Sequence, residues 1–218
     1  MFFGGSFDVV TRVEPVRQLA STEEIIAECS AGHMFILVDN PDRENEGDLV
    51  IAGAHATPSA IAFMARLGRG LICVAVPGAV ADRFELAFQN SSNAGEGYTA
   101  FTTSIDARYG ITTGISAKDR AAAIDILNDP KKGAADIVTP GHIFPLVAKS
   151  GGVLERPGHT EASVELAKAA GAGETAVICE ILGDDGEPLR LPALIDFARK
   201  HGMKIGTIAD LIAWRKAQ

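Results

Sequence analysis

Residues 39–48 read Asp-Asn-Pro-Asp-Arg-Glu-Asn-Glu-Gly-Asp and hold five carboxylates, Asp39, Asp42, Glu44, Glu46 and Asp48, against the single cation Arg43. Like charges this close raise one another's pKa and destabilise the local chain unless something positive lies among them. A hard divalent ion with oxygen ligands does this well, which points to Mg²⁺ or Mn²⁺. The opposing account is a solvated surface turn, the commoner fate of a charged loop taken alone. An EF-hand is a poor match, because its acids alternate around a central Gly and end on a Glu at the twelfth place.

Three further features could do chemistry. Glu155-Arg156-Pro157-Gly158-His159-Thr160 directly precedes a helical stretch, so exposed amides, the Thr160 hydroxyl and the Arg156 fork converge at a positive helix end. That arrangement is a phosphate cradle, in which Gly158 lets a ligand approach the backbone and His159 is available to a metal. A plain N-cap beside a surface His explains the same residues. His142, in Pro140-Gly141-His142, stands at the start of an apolar strand where a neutral ring can act as a base, although a lone His is more often structural. Glu180 falls inside Val177-Ile178-Cys179-Glu180-Ile181-Leu182, and a carboxylate in so apolar a run is costly to bury unless paired, protonated or facing a site. An outward-facing position on a half-exposed strand is its alternative.

These side chains need positioning elements, and the pattern supplies them. Ser21-Thr22-Glu23-Glu24 is a capping box opening a short helix that Gly32 ends. Apolar runs at 34–39 and 49–56 predict strands on either side of the acidic loop. Thr57-Pro58 reads as N-cap and first helical position of a helix closed by Gly68 and followed by the strand-like 71–76. Residues 98–105, rich in Thr and aromatics, predict another strand, and Ser116-x-x-Asp119 opens a helix that Asn128-Asp129-Pro130 ends. Further strands are predicted at 142–149 and 175–182, and helices at 160–170, 192–202 and 208–216. Thr112 and Thr113 offer hydroxyls that could hold a polyol, and Cys73 is more readily core than nucleophile. Strands and helices mixed through one core give an α/β layered sandwich with a mixed sheet, because the pattern is too irregular for eight βα repeats or a doubly wound fold.

With 218 residues, one domain spanning 21–218 behind an N-terminal arm at 1–20 is expected. Lys plus Arg number 20 against 28 Asp plus Glu, a net charge of −8, which gives no general attraction to nucleic acid or anionic lipid. Cys29, Cys73 and Cys179 are far apart and form no zinc or redox motif. With no signal-like start and no run of about 20 apolar residues, a cytoplasmic protein is expected.

In one order the chain carries DRENEGD, GRGLICVAV, FTTSIDA with GITTGISAKDRAAAI, PGHIFPL, GGVLERPGHTEA and VICEI. Together these resemble the 3,4-dihydroxy-2-butanone-4-phosphate synthases of riboflavin biosynthesis, from about residue 21 to residue 215, and linked motifs are far more specific than any short pattern. The resemblance implies a homodimer with active sites near its interface and conversion of D-ribulose 5-phosphate to the butanone phosphate plus formate, with two Mg²⁺ or Mn²⁺ ions. It also implies that Arg43, Glu44 and Asp48 contact the ligand, and that Glu44 and His159 bind metal. Arg156, Gly158 and Thr160 match the phosphate-binding turn, and His142 and Glu180 the residues essential for catalysis. Asn40-Pro41 stand where acids are common in the family. Pro157 replaces a more usual Arg or small residue and has no amide to donate, which leaves more of the phosphate to Arg156.

In such a reaction a base removes a proton next to the ketone, an enediolate develops, water leaves, the skeleton rearranges and one carbon departs as formate. Glu180 and His142 are expected to move protons, with Asp48 orienting or sharing the base role and with His159 and Glu180 among the substrate contacts. One rival is a sugar-phosphate-binding protein that keeps the cradle without turnover, against which the intact Glu44, His159, His142 and Glu180 count. Another is one half of a bifunctional enzyme with a GTP cyclohydrolase II, whose cysteine-rich zinc site has no counterpart before Gln218.

Overall fold

The computed structural model describes residues 19–89 and 98–218. The N-terminal arm expected before residue 20 lies almost wholly outside the described residues. After Ser21, helix α1 (Thr22–Ser30) opens on the full capping box: Ser21 Oγ accepts from the Glu24 amide at 3.3 Å and Glu24 Oε2 from the Ser21 amide at 2.7 Å. Gly32, at φ +76°, turns the chain into strand β1 (Phe35–Val38). Strand β2 (Gly47–Ala52) returns antiparallel, with Leu37 opposite Asp48 and Val38 opposite Gly47. The acidic decapeptide is therefore a hairpin connection whose last two residues already belong to a strand. Beyond Ala52 the predicted strand stops short, because Gly53–His55 form a 3-10 turn.

Thr57 caps α2 (Pro58–Phe63), which continues as a π-helical turn over Met64–Gly68. The left-handed stop falls on Arg69, φ +71°, one residue later than expected. Strand β3 (Cys73–Val76) and a short helix α3 (Gly78–Arg83) follow. Of the strand predicted at 98–105 only the end survives, in β4 (Ile105–Ala107). The stretch before it touches the sheet through a single bridge, Phe101 to Leu146, while Thr102 bridges to Phe88 outside it. Thr102 donates both its amide and its hydroxyl to the Pro145 carbonyl, each at 3.0 Å, and Pro145 has no N–H to return a bond, so the ladder breaks there despite good β propensity.

Helix α4 (Ala117–Asn128) starts on Ser116 and stops before Pro130, as expected. Strand β5 (Ile137–Val147) begins earlier than predicted, and α5 (His159–Ala169), β6 (Ala176–Glu180) and α6 (Leu191–His201) match their apolar patterns. A short strand β7 (Ile205–Thr207) leads into α7 (Ile208–Lys216).

The strands form one seven-stranded mixed sheet in the order β4-β5-β3-β6-β2-β1-β7, in which β3 and β5 and also β1 and β7 run parallel. Successive side chains alternate between its faces. Ile36, Val38, Leu49, Ile51, Val74, Val177 and Cys179 pack with residues of α2, α4 and α6. Phe35, Leu37, Val50, Ala52, Cys73 and Ile178 pack with α1, α5 and α7. Strands covered on both faces read as continuous apolar runs, which is why 35–38 and 176–179 show no polar alternation. The result is an α/β layered sandwich. No helix among the described residues is long and apolar enough to cross a membrane.

Candidate active site

The alternation that builds the core also sets two acids against each other. Asp48 shares a face with Val50 and Ala52, Glu180 shares it with Ile178, and the β2–β6 register makes Asp48 and Glu180 direct partners. Both face the layer of α5, where His159 opens the helix. His159 Nε2 lies 4.0 Å from Asp48 Oδ1 and 3.1 Å from the Leu37 carbonyl, with both side chains almost fully buried. A carbonyl only accepts, so in this arrangement Nε2 carries the ring proton. Asp48 Oδ1 has no hydrogen-bond partner among the described residues, an unusual condition for a buried carboxylate.

Asp39 organises the loop above this pair. Its Oδ2 accepts from Arg43 Nη1 at 2.9 Å and the Glu44 amide at 3.1 Å, and its Oδ1 accepts from the Glu46 amide at 2.9 Å. Arg43 also pairs with Glu44. From the start of α6, Arg190 Nη1 donates to the Glu44 carbonyl at 2.8 Å and to that of Asn45, whose φ is +55°. Two groups of potential ligand atoms result, Asp39 with Glu44 and His159, and Glu46 with Asp48 and His159, each within 4.8 Å.

Electrostatics follow from the crowding. Burial, then the charges of Glu180, Glu44 and Asp39, push the Asp48 carboxyl well above the usual carboxylate range, with Arg43 opposing. Burial and the neighbouring Asp48 and Glu44 push Glu46 up to about 7. The His159 imidazolium is disfavoured by burial, against the pull of Asp39 and Glu46. Burial and the charges of Glu180 and Asp48 hold Cys73 as a thiol, which argues against a nucleophilic role.

A cavity of about 240 Å³ unites Arg43, Glu44, Asp48, Arg156, His159, Thr160 and Glu180, with Cys73, Leu71 and Phe101 among its walls. Arg156 is only 7% exposed; its Nη1 donates to Glu161 Oε2 at 2.7 Å and its Nη2 to Thr99 Oγ1 at 2.9 Å. Gly158 is the N-cap of α5, and no side chain caps the helix, leaving its first amides facing outward from the helix. A Cβ at Gly158 would collide with the Arg156 guanidinium. The Leu71 amide donates to Glu180 Oε2 at 2.8 Å, which holds one oxygen and leaves the other free to act.

His142 does not line this cavity. Carrying the β3–β5 register, Cys73 opposite Phe144, back two residues sets His142 level with Leu71, on the same face and at the same end of the sheet. At about 4.8 Å per strand it stands two strands from Glu180 and three from Asp48, roughly 10 and 14 Å. Its Nδ1 is 2.7 Å from Asp106 Oδ2. Thr112 likewise lies away from the cavity and donates its hydroxyl to Asp119 at 2.7 Å.

Sequence reasoning left Asp39 and Glu46 without roles and did not single out Asp106 or Arg190. Asp39 had a signal, a carboxylate at the very end of an apolar strand. Asp106 and Arg190 had none, since their partners lie 36 and 146 residues away.

A family model described as 3,4-dihydroxy-2-butanone 4-phosphate synthase matches residues 23–214. The chain is 52% identical over 197 residues to riboflavin biosynthesis protein RibBA of Aquifex aeolicus, covering 89% of this chain and 48% of that protein. It is 51% identical over 192 residues to the 3,4-dihydroxy-2-butanone 4-phosphate synthase of Neisseria meningitidis serogroup B, covering 88% and 53%. The chain spans about half the length of these curated relatives. Among solved structures, a 3,4-dihydroxy-2-butanone 4-phosphate synthase in complex with two magnesium ions superposes with a TM-score of 0.88 at 39% identity, covering 92% of this chain and 98% of that one. The two-domain synthase RibBX of A. baumannii superposes at 0.86 with 48% identity, covering 90% and 58%.

Proposed function

The chain belongs to the 3,4-dihydroxy-2-butanone 4-phosphate synthase family, and on that premise we propose that it is a lyase converting D-ribulose 5-phosphate to L-3,4-dihydroxy-2-butanone 4-phosphate and formate. The observation that carries this reading is the Asp48–Glu180 pair, whose buried Asp48 has an oxygen with no partner among the described residues 4.0 Å from His159, in a cavity that also reaches the uncapped start of α5.

The donor set fits a divalent cation, Mg²⁺ or Mn²⁺. Carboxylate oxygens and one imidazole suit a hard ion, and the crowding that raises Asp48 and Glu46 is what such a charge relieves. Glu44 and His159 are its assigned ligands; ligation through His159 Nε2 exchanges the bond to the Leu37 carbonyl. Two overlapping groups of ligand atoms support two ions per site. Once bound, the metal supplies positive charge beside two adjacent substrate oxygens.

The chain's own residues do the rest. The first α5 amides, at His159 and Thr160, receive the phosphate, while the Gly158 amide stays on the Arg156 carbonyl, with Arg156 contributing from its ion pair with Glu161. Arg43, Glu44 and Asp48 hold the sugar hydroxyls. Glu180, one oxygen fixed by the Leu71 amide, exchanges protons with the substrate carbons and hydroxyls through the other, and Asp48 orients the substrate or shares that role. His142 is the second proton carrier. A homodimer with its sites near the interface, acting in the cytoplasm, completes the reading, and it lets His142 of a second copy serve the cavity.

Glu44→Gln and His159→Asn test it. Both should weaken Mg²⁺ binding by calorimetry at least tenfold and lower formate release from D-ribulose 5-phosphate by at least a hundredfold. Full formate release by either variant would sink its assignment as a ligand.

A further inference from the structure

We infer that Asp106 is a positioning residue that fixes the ring tautomer of His142, so that Nε2, rather than Nδ1, exchanges protons. The catalytic part of this inference rests on the role proposed above for His142; the tautomer part does not.

Asp106 is 5% exposed and spends both oxygens on one residue. Oδ1 accepts the His142 amide at 2.9 Å, and Oδ2 lies 2.7 Å from His142 Nδ1. A local need explains the first bond. The β4–β5 ladder slips between Ile105 and Asp106, and side chains in and just before the edge strand take over the freed amides: Ser104 Oγ accepts from Gly141 at 3.1 Å just as Asp106 accepts from His142. The second bond is not required by the ladder. Its acceptor is a carboxylate, so in the neutral ring Nδ1 carries the hydrogen and Nε2 keeps its lone pair. Nε2 makes no hydrogen bond among the described residues, and the side chain is 39% exposed, open to a substrate.

The surroundings hold the pair still. Gly114, at φ +92°, lies so close that a Cβ would collide with both Asp106 Oδ2 and His142 Nδ1. Its loop is pinned by Asp119 Oδ2, which accepts from the Thr112 and Gly114 amides, each at 3.1 Å. A ring clamped at Nδ1 and at its own backbone has one productive direction left. When Nε2 takes a proton from the substrate, a substrate C–H or O–H bond breaks and an N–H bond forms. The resulting imidazolium lies against the Asp106 carboxylate, and the same proton returns in a later step.

Asp106→Asn is the informative variant. The His142 amide can only donate, so it claims the single amide oxygen of Asn, and the NH₂ group then faces Nδ1. That forces Nδ1 to accept and moves the ring proton to Nε2. Histidine ¹⁵N NMR of the wild type should show a protonated Nδ1 and a bare Nε2 for His142, and the variant should show the reverse. On D-ribulose 5-phosphate the variant's kcat should fall about a hundred- to ten-thousandfold with KM within about threefold. Gly114→Ala, which crowds the pair without removing the carboxylate, should lower kcat in the same direction while keeping the wild-type tautomer. A bare Nδ1 in the wild type, or an Asp106→Asn protein with either an unchanged tautomer or wild-type kcat, would overturn the inference. If the tautomer moves as expected but wild-type protein releases no formate, it is the proposed reaction that fails and the ring assignment that stands.

Discussion

At one end of the sheet stand two acid-centred clusters built on opposite terms. On the central strands, Asp48 and Glu180 oppose each other as two acids, and Asp48 Oδ1 has no partner among the described residues. Near the sheet edge, Asp106 meets a histidine and both its oxygens are bonded. A saturated carboxylate can orient its partner but has little capacity left for a ligand, whereas an under-satisfied, crowded one gains most when a cation or substrate arrives. The contrast separates holding from reacting, and it assigns the first to Asp106 and Asp39 and the second to Asp48, Glu180 and Glu44.

The largest effect that would break this contrast is at the central pair. Asp48→Asn and Glu180→Gln should each lower formate release a thousandfold or more. Metal-free Asp48→Asn should nonetheless be more stable than wild type at pH 8, by about 1–3 kcal/mol, because a buried carboxylate without a full set of partners is removed. Its advantage should shrink between pH 8 and pH 5, because burial and the neighbouring carboxylates favour the neutral acid as pH falls. Thermal melts at the two pH values check both signs, and a less stable variant at pH 8 would contradict the under-satisfied Asp48.

A smaller effect sharpens the electrostatic side. Glu46 has its carboxyl raised from the usual value of 4.5 to about 7, so above the lower value the folded state binds more protons than the unfolded state. Stability of the metal-free protein should therefore fall as pH rises from about 4.5 to about 7. Glu46→Gln should flatten that slope in chemical denaturation, and saturating Mg²⁺ should do so as well. A slope of the opposite sign would show that the loop carboxylates are already compensated.

The smallest effect concerns holding alone. Asp39→Ala removes the acceptor for Arg43 and for the Glu44 and Glu46 amides, and should cost about 1–3 kcal/mol in urea unfolding. The far end of β1 is a control: Ser21→Ala, which removes the capping box of α1, should cost about 1 kcal/mol and leave kcat unchanged.

Much of the fold was legible in the chain because its signals are local. The Ser21 box, the Thr57-Pro58 start, the Ser116 cap and the apolar runs of β1, β3 and β6 each declare an element within ten residues. What failed depended on pairing: residues 98–104 have the composition of a strand, but Pro145 opposite them cannot complete the ladder. The short β7 is defined by lying beside β1, and its Ile205-Gly206-Thr207 carries no pattern of its own. The site divides the same way. The acidic loop and the turn before α5 were visible as residue types, and linked motifs tied them together. That Asp48 faces Glu180, that Asp39 ties the loop down, and that Asp106 grips His142 are consequences of strand register, which no local pattern encodes.

The most direct test is formate release by the purified protein from D-ribulose 5-phosphate, measured with Mg²⁺, with excess EDTA, and after Mg²⁺ is restored. The account predicts one formate per butanone phosphate formed, loss of both products in EDTA and recovery on adding Mg²⁺ back. Absence of formate in all three conditions, or release that EDTA leaves untouched, would contradict it.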